Sequence, residues 1–289
     1  MAAAARLGYQ PNHAARALVS GRSRLIGIVA ETLADPLLAG VVEQLEQRLE
    51  AQSYGTLLAV TAGSSERLSA ATRILIGRGA EALVFAGTGP RPAEIDHLAA
   101  HSLPWLEISD APGADGLSID TGRRQGGALA VRYLVELGHR RFGVVGPRGA
   151  FRQGAVTALA ETDSGRLLAD TPTGGGDADS IGRAMRALLD GSERPTAVIC
   201  GSDTEALAAV RECSRRGIMV PDDIAIIGFG DEEFARYAVP ALTTIRVSPA
   251  AIGIHGAEVV LAKLAGGLPP PFEMPIKLVV RQSSGPASA

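Results

Sequence analysis

The feature that most constrains this chain is an alternation, run through twice, of short β-rich stretches and amphipathic stretches of helical period. Residues 25–29 predict a strand. Residues 36–52 then set Leu37, Val41, Leu45 and Leu49 at helical spacing. Strands are predicted over 55–60, 82–86 and 105–108, with helices over 67–78 and 95–101 between them. Alternation of this kind implies a parallel sheet covered by helices on both faces. The pattern then starts again. Asp120 is placed to cap a helix over 121–137 that Gly138 ends. Strands over 142–145, 196–200 and 224–227 follow, with helices over 181–189 and 204–216, the latter closed by Gly217. Two successive α/β halves predict two similar lobes, with ligand sites at the carboxyl ends of their strands. The Gly/Asp/Thr-rich stretch 164–179 reads as a loop holding a weak strand, and the tail from Ser283 onward as frayed.

Bulk properties narrow the function. A chain of 289 residues has room for two domains. Its formal charge of −3 gives no global basic field, so any nucleic-acid contact must come from a local patch. Cys200 and Cys213 fall on separate predicted elements and make neither a disulfide framework nor a zinc site. Residues 1–9 lack the apolar run of a signal peptide, and no stretch is long and apolar enough to span a membrane, which points to the cytoplasm. Catalytic constellations are wanting. No Gly-x-Gly-x-x-Gly follows the first strand, and Gly201-Ser202-Asp203 lacks the second glycine of a nucleophile elbow. His97 and His101 share a helix face without a third ligand and read as surface residues. The sequence therefore predicts no enzyme, cofactor or metal.

The first 24 residues do not fit the α/β pattern. Residues 2–7 can finish a helix that Gly8 stops, and Tyr9-Gln10-Pro11 is extended. Asn12 can cap a short helix over 13–19 that ends near Gly21. Arg6, His13, Arg16, Arg22 and Arg24 give a local basic excess with no acid before Glu31. A helix of about seven residues does not persist alone in water and needs a partner to order it. From composition alone, this segment reads as a solvated arm.

The stretch Gly8-Tyr9-Gln10-Pro11-Asn12-His13-Ala14-Ala15-Arg16-Ala17-Leu18, followed by Ile26-Gly27-Ile28-Val29, resembles the hinge segment and first core strand of the LacI/GalR family of transcription regulators. Leu137-Gly138-His139-Arg140-Arg141 resembles that family's LGH-R strand entry, and Pro221-Asp222-Asp223-Ile224-Ala225-Ile226-Ile227-Gly228-Phe229 its P-x-D-I-x-VVGF strand. Pro240-Ala241-Leu242-Thr243-Thr244-Ile245 resembles its P-x-LTT-I crossover, and Leu278-Val279-Val280-Arg281-Gln282-Ser283 its terminal strand. Each motif is weak alone; the set, in order over residues 1–284, is specific.

The resemblance implies an α/β, periplasmic-binding-protein-like core of two Rossmann-like lobes joined by three crossovers and preceded by a short hinge helix. Residues 1–23 would be the remnant of the DNA-binding headpiece and hinge. Residues 24–138 with 247–272 would form the N-terminal lobe, 139–246 with 273–284 the C-terminal lobe, and 285–289 a tail. Crossovers are expected near 138–140, 245–248 and 272–274. It also implies a homodimer, an operator of double-stranded DNA, and a small-molecule effector in the cleft between the lobes that controls the order of the hinge helix. Leu18 matches the leucine that wedges between base pairs in the minor groove, and an apolar wedge of this kind kinks the duplex. Asn12 and Ala15 match groove positions, and Arg16 and Arg22 are expected phosphate contacts. A helix-turn-helix precedes these positions in the family; the sequence given supplies no recognition helix, so specific operator binding is expected to be weak.

Around the cleft the sequence departs from the family's sugar-binding pattern. Phe151 stands where an arginine is usual, with Arg152 displaced by one. Ser202-Asp203 replaces Asn-Asp, Gly230-Asp231 replaces Asp-Asp, and Ser109-Asp110 follows the fourth strand. The polar set that clamps hydroxyls is thinned, which leaves a non-sugar effector, a weakly polar one, or a cleft without a ligand. Asp35, Asp203 and Asp231 are each either a helix cap or a ligand contact. An exported solute-binding protein of the same fold is the alternative function.

Overall fold

The computed structural model describes residues 21–87, 89, 91–110, 117–146, 149–162, 165–172, 178–269 and 271–287. The chain divides into two units. The first holds residues up to Ile119 together with Pro249–Phe272; the second holds Asp120–Ser248 with the residues from Glu273 on.

In the first unit, β1 (Leu25–Ala30), β2 (Gly55–Val60), β3 (Ala82–Ala86), β4 (Trp105–Ser109) and β5 (Leu117–Asp120) lie in the order β2-β1-β3-β4-β5. β1 runs parallel to both β2 and β3, and β3 parallel to β4. β3 is buried along its whole length, as a strand covered on both faces must be. Helices α1 (Pro36–Glu50), α2 (Ser65–Gly77) and α3 (Pro92–Ala100) supply the crossovers. α1 starts where its first proline needs no amide partner, and it buries Leu37, Leu38, Val41, Val42, Leu45 and Leu49 on one stripe.

In the second unit, α4 (Arg123–Glu136) leads into β6 (Arg141–Gly146), α5 (Ala150–Ala160), β7 (Arg166–Pro172), α6 (Ala178–Leu189), β8 (Ala197–Cys200), α7 (Asp203–Arg215), β9 (Ala225–Gly230) and β10 (Thr243–Val247). α8 (Pro249–Leu264) returns to the first unit and packs on α1, where Gly253 lets the backbones meet at Val41 and Leu45. β11 (Ile276–Val279) then closes the second sheet, whose order is β11-β10-β9-β8-β6-β7. Among the described residues of this second sheet, β11 runs antiparallel to β10 and the other pairs are parallel. Both sheets reverse strand order beside their first strand, between β1 and β3 and between β6 and β8. Such a switch point opens a crevice at the carboxyl edge of the sheet.

Three expectations need correction. The first crossing falls between Ile119 and Asp120, not at 138–140, so α4 belongs to the second unit. The reason is a helix pair: Gly127 of α4 faces the backbone of Phe151, and Gly154 of α5 faces that of Arg124, an approach that no side chain permits. Asp120 does not cap α4. It lies in β5, its carboxylate accepts from the Gly122 amide at 2.7 Å, and Gly122 itself precedes the helix with φ 79°. The strand expected within 164–179 is present as β7, seven residues paired along β6. The end of the chain is not frayed at Ser283: it is fully buried, Ser284 nearly so, and Gly285 and Ala287 accept from His139 and donate to Leu137.

Candidate functional site

At the carboxyl edge of the first sheet, the ladder continues past the strands: the Glu31 amide donates to Ala86 and the Gly87 amide to Ile108. This brings Glu31, Gly87 and Asp110 to one edge. Asp35 is a cap. Its Oδ1 accepts from the amides of Leu37 at 2.9 Å and Leu38 at 3.4 Å. Ser109 is buried, and its hydroxyl donates to Glu107 Oε1 at 2.7 Å, so it serves that carboxylate and faces inward. Glu31 is half-buried. Burial, then the charges of Asp110 and Asp35, push its carboxyl above the usual range. Gly87, at φ 86°, stands where a Cβ would meet Leu38 and Glu31, so the glycine makes room for that carboxylate.

The second sheet carries a different arrangement. Asp203 opens α7 with no exposed surface. Its Oδ1 accepts from the Thr244 hydroxyl at 2.5 Å and its Oδ2 from the Glu232 amide at 2.8 Å. Burial raises its carboxyl, against the lowering effect of those two donors. Ser202 caps the same helix through the Glu205 amide at 3.2 Å. Gly230 ends β9 with φ 125°, and Asp231 follows with φ 56°. That turn aims Asp231 between two arginines: Arg246 Nε and Arg281 each donate to it at 2.5 Å. Burial alone would raise the Asp231 carboxyl, but the hydrogen bonds and charges of Arg281 and Arg246 outweigh it and hold it below the usual range.

Phe151 is a packing residue. It is buried in the first turn of α5, and its ring meets Phe229 edge-on at 5.1 Å. The guanidinium of Arg123 lies over the same Phe229 ring at 5.2 Å. Arg152 is half-buried one position on. Among the residues predicted for DNA, Asn12, Ala15, Arg16 and Leu18 lie outside the described residues. Arg22 pairs with Glu81 at 3.0 Å and donates to the Tyr54 hydroxyl at 2.9 Å.

The structure adds Glu31, Arg123, Thr244, Arg246 and Arg281 to the predicted residues. Thr244 and Arg281 stand inside two motifs already singled out, the first as a crossover and the second as a terminal strand. What marks them is their pairing with Asp203 and Asp231 across the sheet, from residues far apart in sequence. Among the described residues, no group of three or more His, Cys, Asp or Glu could hold a metal ion. No helix there is long and apolar enough to cross a membrane. Cys200 and Cys213 are free and buried, and burial raises both thiols, Cys213 to about 11.

Residues 131–284 match the model of the periplasmic binding protein-like domain. The HTH-type transcriptional repressor PurR of Escherichia coli is 30% identical over 98% of this chain and 86% of its own length. The chain belongs to the LacI family. The ribose operon repressor of Haemophilus influenzae is 29% identical over 90% of this chain and 80% of that protein. A structure of the lac repressor bound to ONPG in its repressed state superposes with a TM-score of 0.86 at 25% identity, covering 98% of this chain and 88% of that one. As in other LacI-family cores, the fold is a pair of parallel-dominated α/β units, and it is the core of an effector-responsive regulator.

Proposed function

We propose that the protein is a cytoplasmic, homodimeric transcriptional repressor that binds operator DNA under the control of a small molecule, and that it is not an enzyme. The observation that carries this reading is the pair of carboxyl edges at strand-order reversals, each dressed with polar side chains of one class, carboxylates and their partners. The proposed effector contacts are Glu31 and Asp110 in the first unit, and Arg152, Arg246 and the Gly230–Asp231 turn in the second. Asp35, Ser109, Phe151, Ser202 and Asp203 support these from behind as caps, buried partners and packing. The acids of the first edge suit hydrogen-bond donors, and the commitment of Asp231 to two arginines argues against hydroxyl clamping of the kind a hexose needs.

On this reading the effector biases two states of the protein by binding one more tightly than the other. In one state the segment around Asn12–Leu18 would be ordered on DNA, with Asn12 and Ala15 in the groove, Arg16 and Arg22 on phosphates, and Leu18 as the wedge. A thermal-shift screen of sugars, nucleosides, amines and small acids tests the effector site. We expect stabilisation by a donor-rich compound, lost in Glu31→Gln. Stabilisation by hexoses or pentoses alone would overturn the reading of these edges, and an absence of any hit would overturn the effector itself. Leu18→Ala in a form that binds operator should weaken binding at least about tenfold; unchanged affinity would refute the wedge.

A further inference from the structure

The second unit carries a cluster of arginines at the edge of its sheet remote from the residues above. Arg140 and Arg141 enter β6, Arg166 enters β7, and Arg194 sits in the turn before β8. These are the amino ends of parallel strands, whereas the proposed effector contacts lie at the carboxyl ends. With Glu193, the four arginines line an open concavity of about 560 Å³. All five side chains are exposed.

The hydrogen bonds show why the charge there is not cancelled. Arg140 donates to the carbonyls of Val135 at 3.1 Å and His139 at 2.8 Å, which holds the guanidinium at the end of α4. Arg141 Nε donates to the Arg194 carbonyl at 3.0 Å, which ties the turn to the strand. Arg166 alone is ion-paired, with Glu193. Among the described residues, the guanidiniums of Arg140, Arg141 and Arg194 have no carboxylate within ion-pairing distance. Asp190, in the next turn, is taken up by Arg216 at 2.6 Å. Among the described residues that line it, the concavity carries an excess of about three positive charges, eased at its margin by Asp190, in a chain of net charge −3: a focused field, not a general one. Two of the four forks are held by backbone carbonyls, so part of the ordering cost of binding is met in advance. Planar forks converging on a hollow match tetrahedral oxyanions, which they grip with two parallel N–H···O bonds each.

We propose that this concavity is a second ligand site, separate from the effector edge, that takes a small molecule bearing a chain of phosphates. A single phosphate engages one or two of the forks; a chain of two or three spans the hollow. The affinity arises from charge and is therefore sensitive to salt.

The test is calorimetric titration of the purified chain at low ionic strength with pyrophosphate, tripolyphosphate and a nucleoside triphosphate, and with sulfate as control. We expect tripolyphosphate to bind more tightly than sulfate. We expect the double substitution Arg141→Gln/Arg194→Gln to weaken it at least about tenfold while circular dichroism stays unchanged and the melting temperature falls only slightly, through loss of the Arg141 bond to the Arg194 carbonyl. Equal binding of tripolyphosphate and the nucleotide assigns recognition to the phosphate chain; tighter binding of the nucleotide adds a contact to its base. Binding that survives the double substitution would overturn the proposal, as would binding of duplex DNA but of neither small phosphate. Neither result bears on the effector reading, whose residues are untouched.

Discussion

The carboxyl edges of the two sheets are built on the same strand order and dressed with the same kind of side chain, yet they hold their acids differently. In the second unit, Asp203 and Asp231 are satisfied internally, one by a hydroxyl and an amide, the other by two guanidiniums. In the first, Glu31 stands against Asp110 and Asp35, and its carboxyl is raised by their charge as well as by burial. The difference teaches that a family position occupied by aspartate is not by itself a ligand contact. What decides is whether the fold has already supplied the partner. One edge is organised in advance; at the other, burial first and then neighbouring charge work against the Glu31 carboxylate.

The contrast can be broken in steps. The largest effect is expected from Asp203→Ala, which strands the Thr244 hydroxyl and the Glu232 amide in a buried site. We expect a loss of about 3 kcal/mol in denaturant unfolding, and a loss under about 1 kcal/mol would mean that the network is not organised as described. Next is Gly87→Ala in the first unit, which forces a side chain into φ 86° against Leu38 and Glu31; about 2 kcal/mol is expected. Asp231→Asn comes third, at about 1–2 kcal/mol, because Arg246 remains half-exposed and only Arg281 loses a shielded partner.

That third variant also has a pH signature. The folded carboxyl of Asp231 lies below its unfolded value, so its contribution is present above the unfolded pKa and is lost as pH falls through the folded one. Asp231→Asn should therefore flatten the acid limb of a stability profile. Glu31 behaves in the opposite sense. Its raised carboxyl withdraws stability as pH climbs from the unfolded value through the folded one. Glu31→Gln is thus the smallest change and the only one with a gain: about 0.5 kcal/mol more stable at neutral pH, with no gain at pH low enough to protonate both states. A loss at neutral pH would show that Glu31 has a stabilising partner and would remove the contrast between the edges.

Much of this architecture was legible in the residues. Period and punctuation located β1 to β4, α1 and α7, because buried parallel strands read as continuous apolar runs and helices as stripes. The assignment of α4 to a unit was not legible. Nothing local distinguishes a helix that packs on the sheet before it from one that packs on the sheet after it, and the deciding contact is between glycines of α4 and α5. β5 was missed because a four-residue edge strand offers too short a pattern. At the site, the place of Asp35 before a helix left it open between cap and ligand contact, and it caps; Ser202, read only as an effector position, caps α7. Phe151 stands at an effector position by a count of residues, and such a count does not reveal that its ring turns onto Phe229. Arg246 and Arg281 were missed because their common partner, Asp231, lies 15 and 50 residues away from them.

The stitching of Ser283 into the second sheet has a consequence for biogenesis. Its backbone carbonyl accepts from Ile226, while its hydroxyl bridges the Ile226 carbonyl and the Thr243 amide. The first unit likewise waits for α8, which arrives after most of the second has been made. On the ribosome, neither unit can close its hydrogen-bond ladder and helix layer when its first strands emerge. The nascent chain must carry a first sheet complete at β5 but short of one covering helix, and α8 must dock on α1 about 200 residues after α1 was made. A factor that shields exposed strands during translation would act on this chain late, in the interval between the synthesis of α1 and that of Ser283.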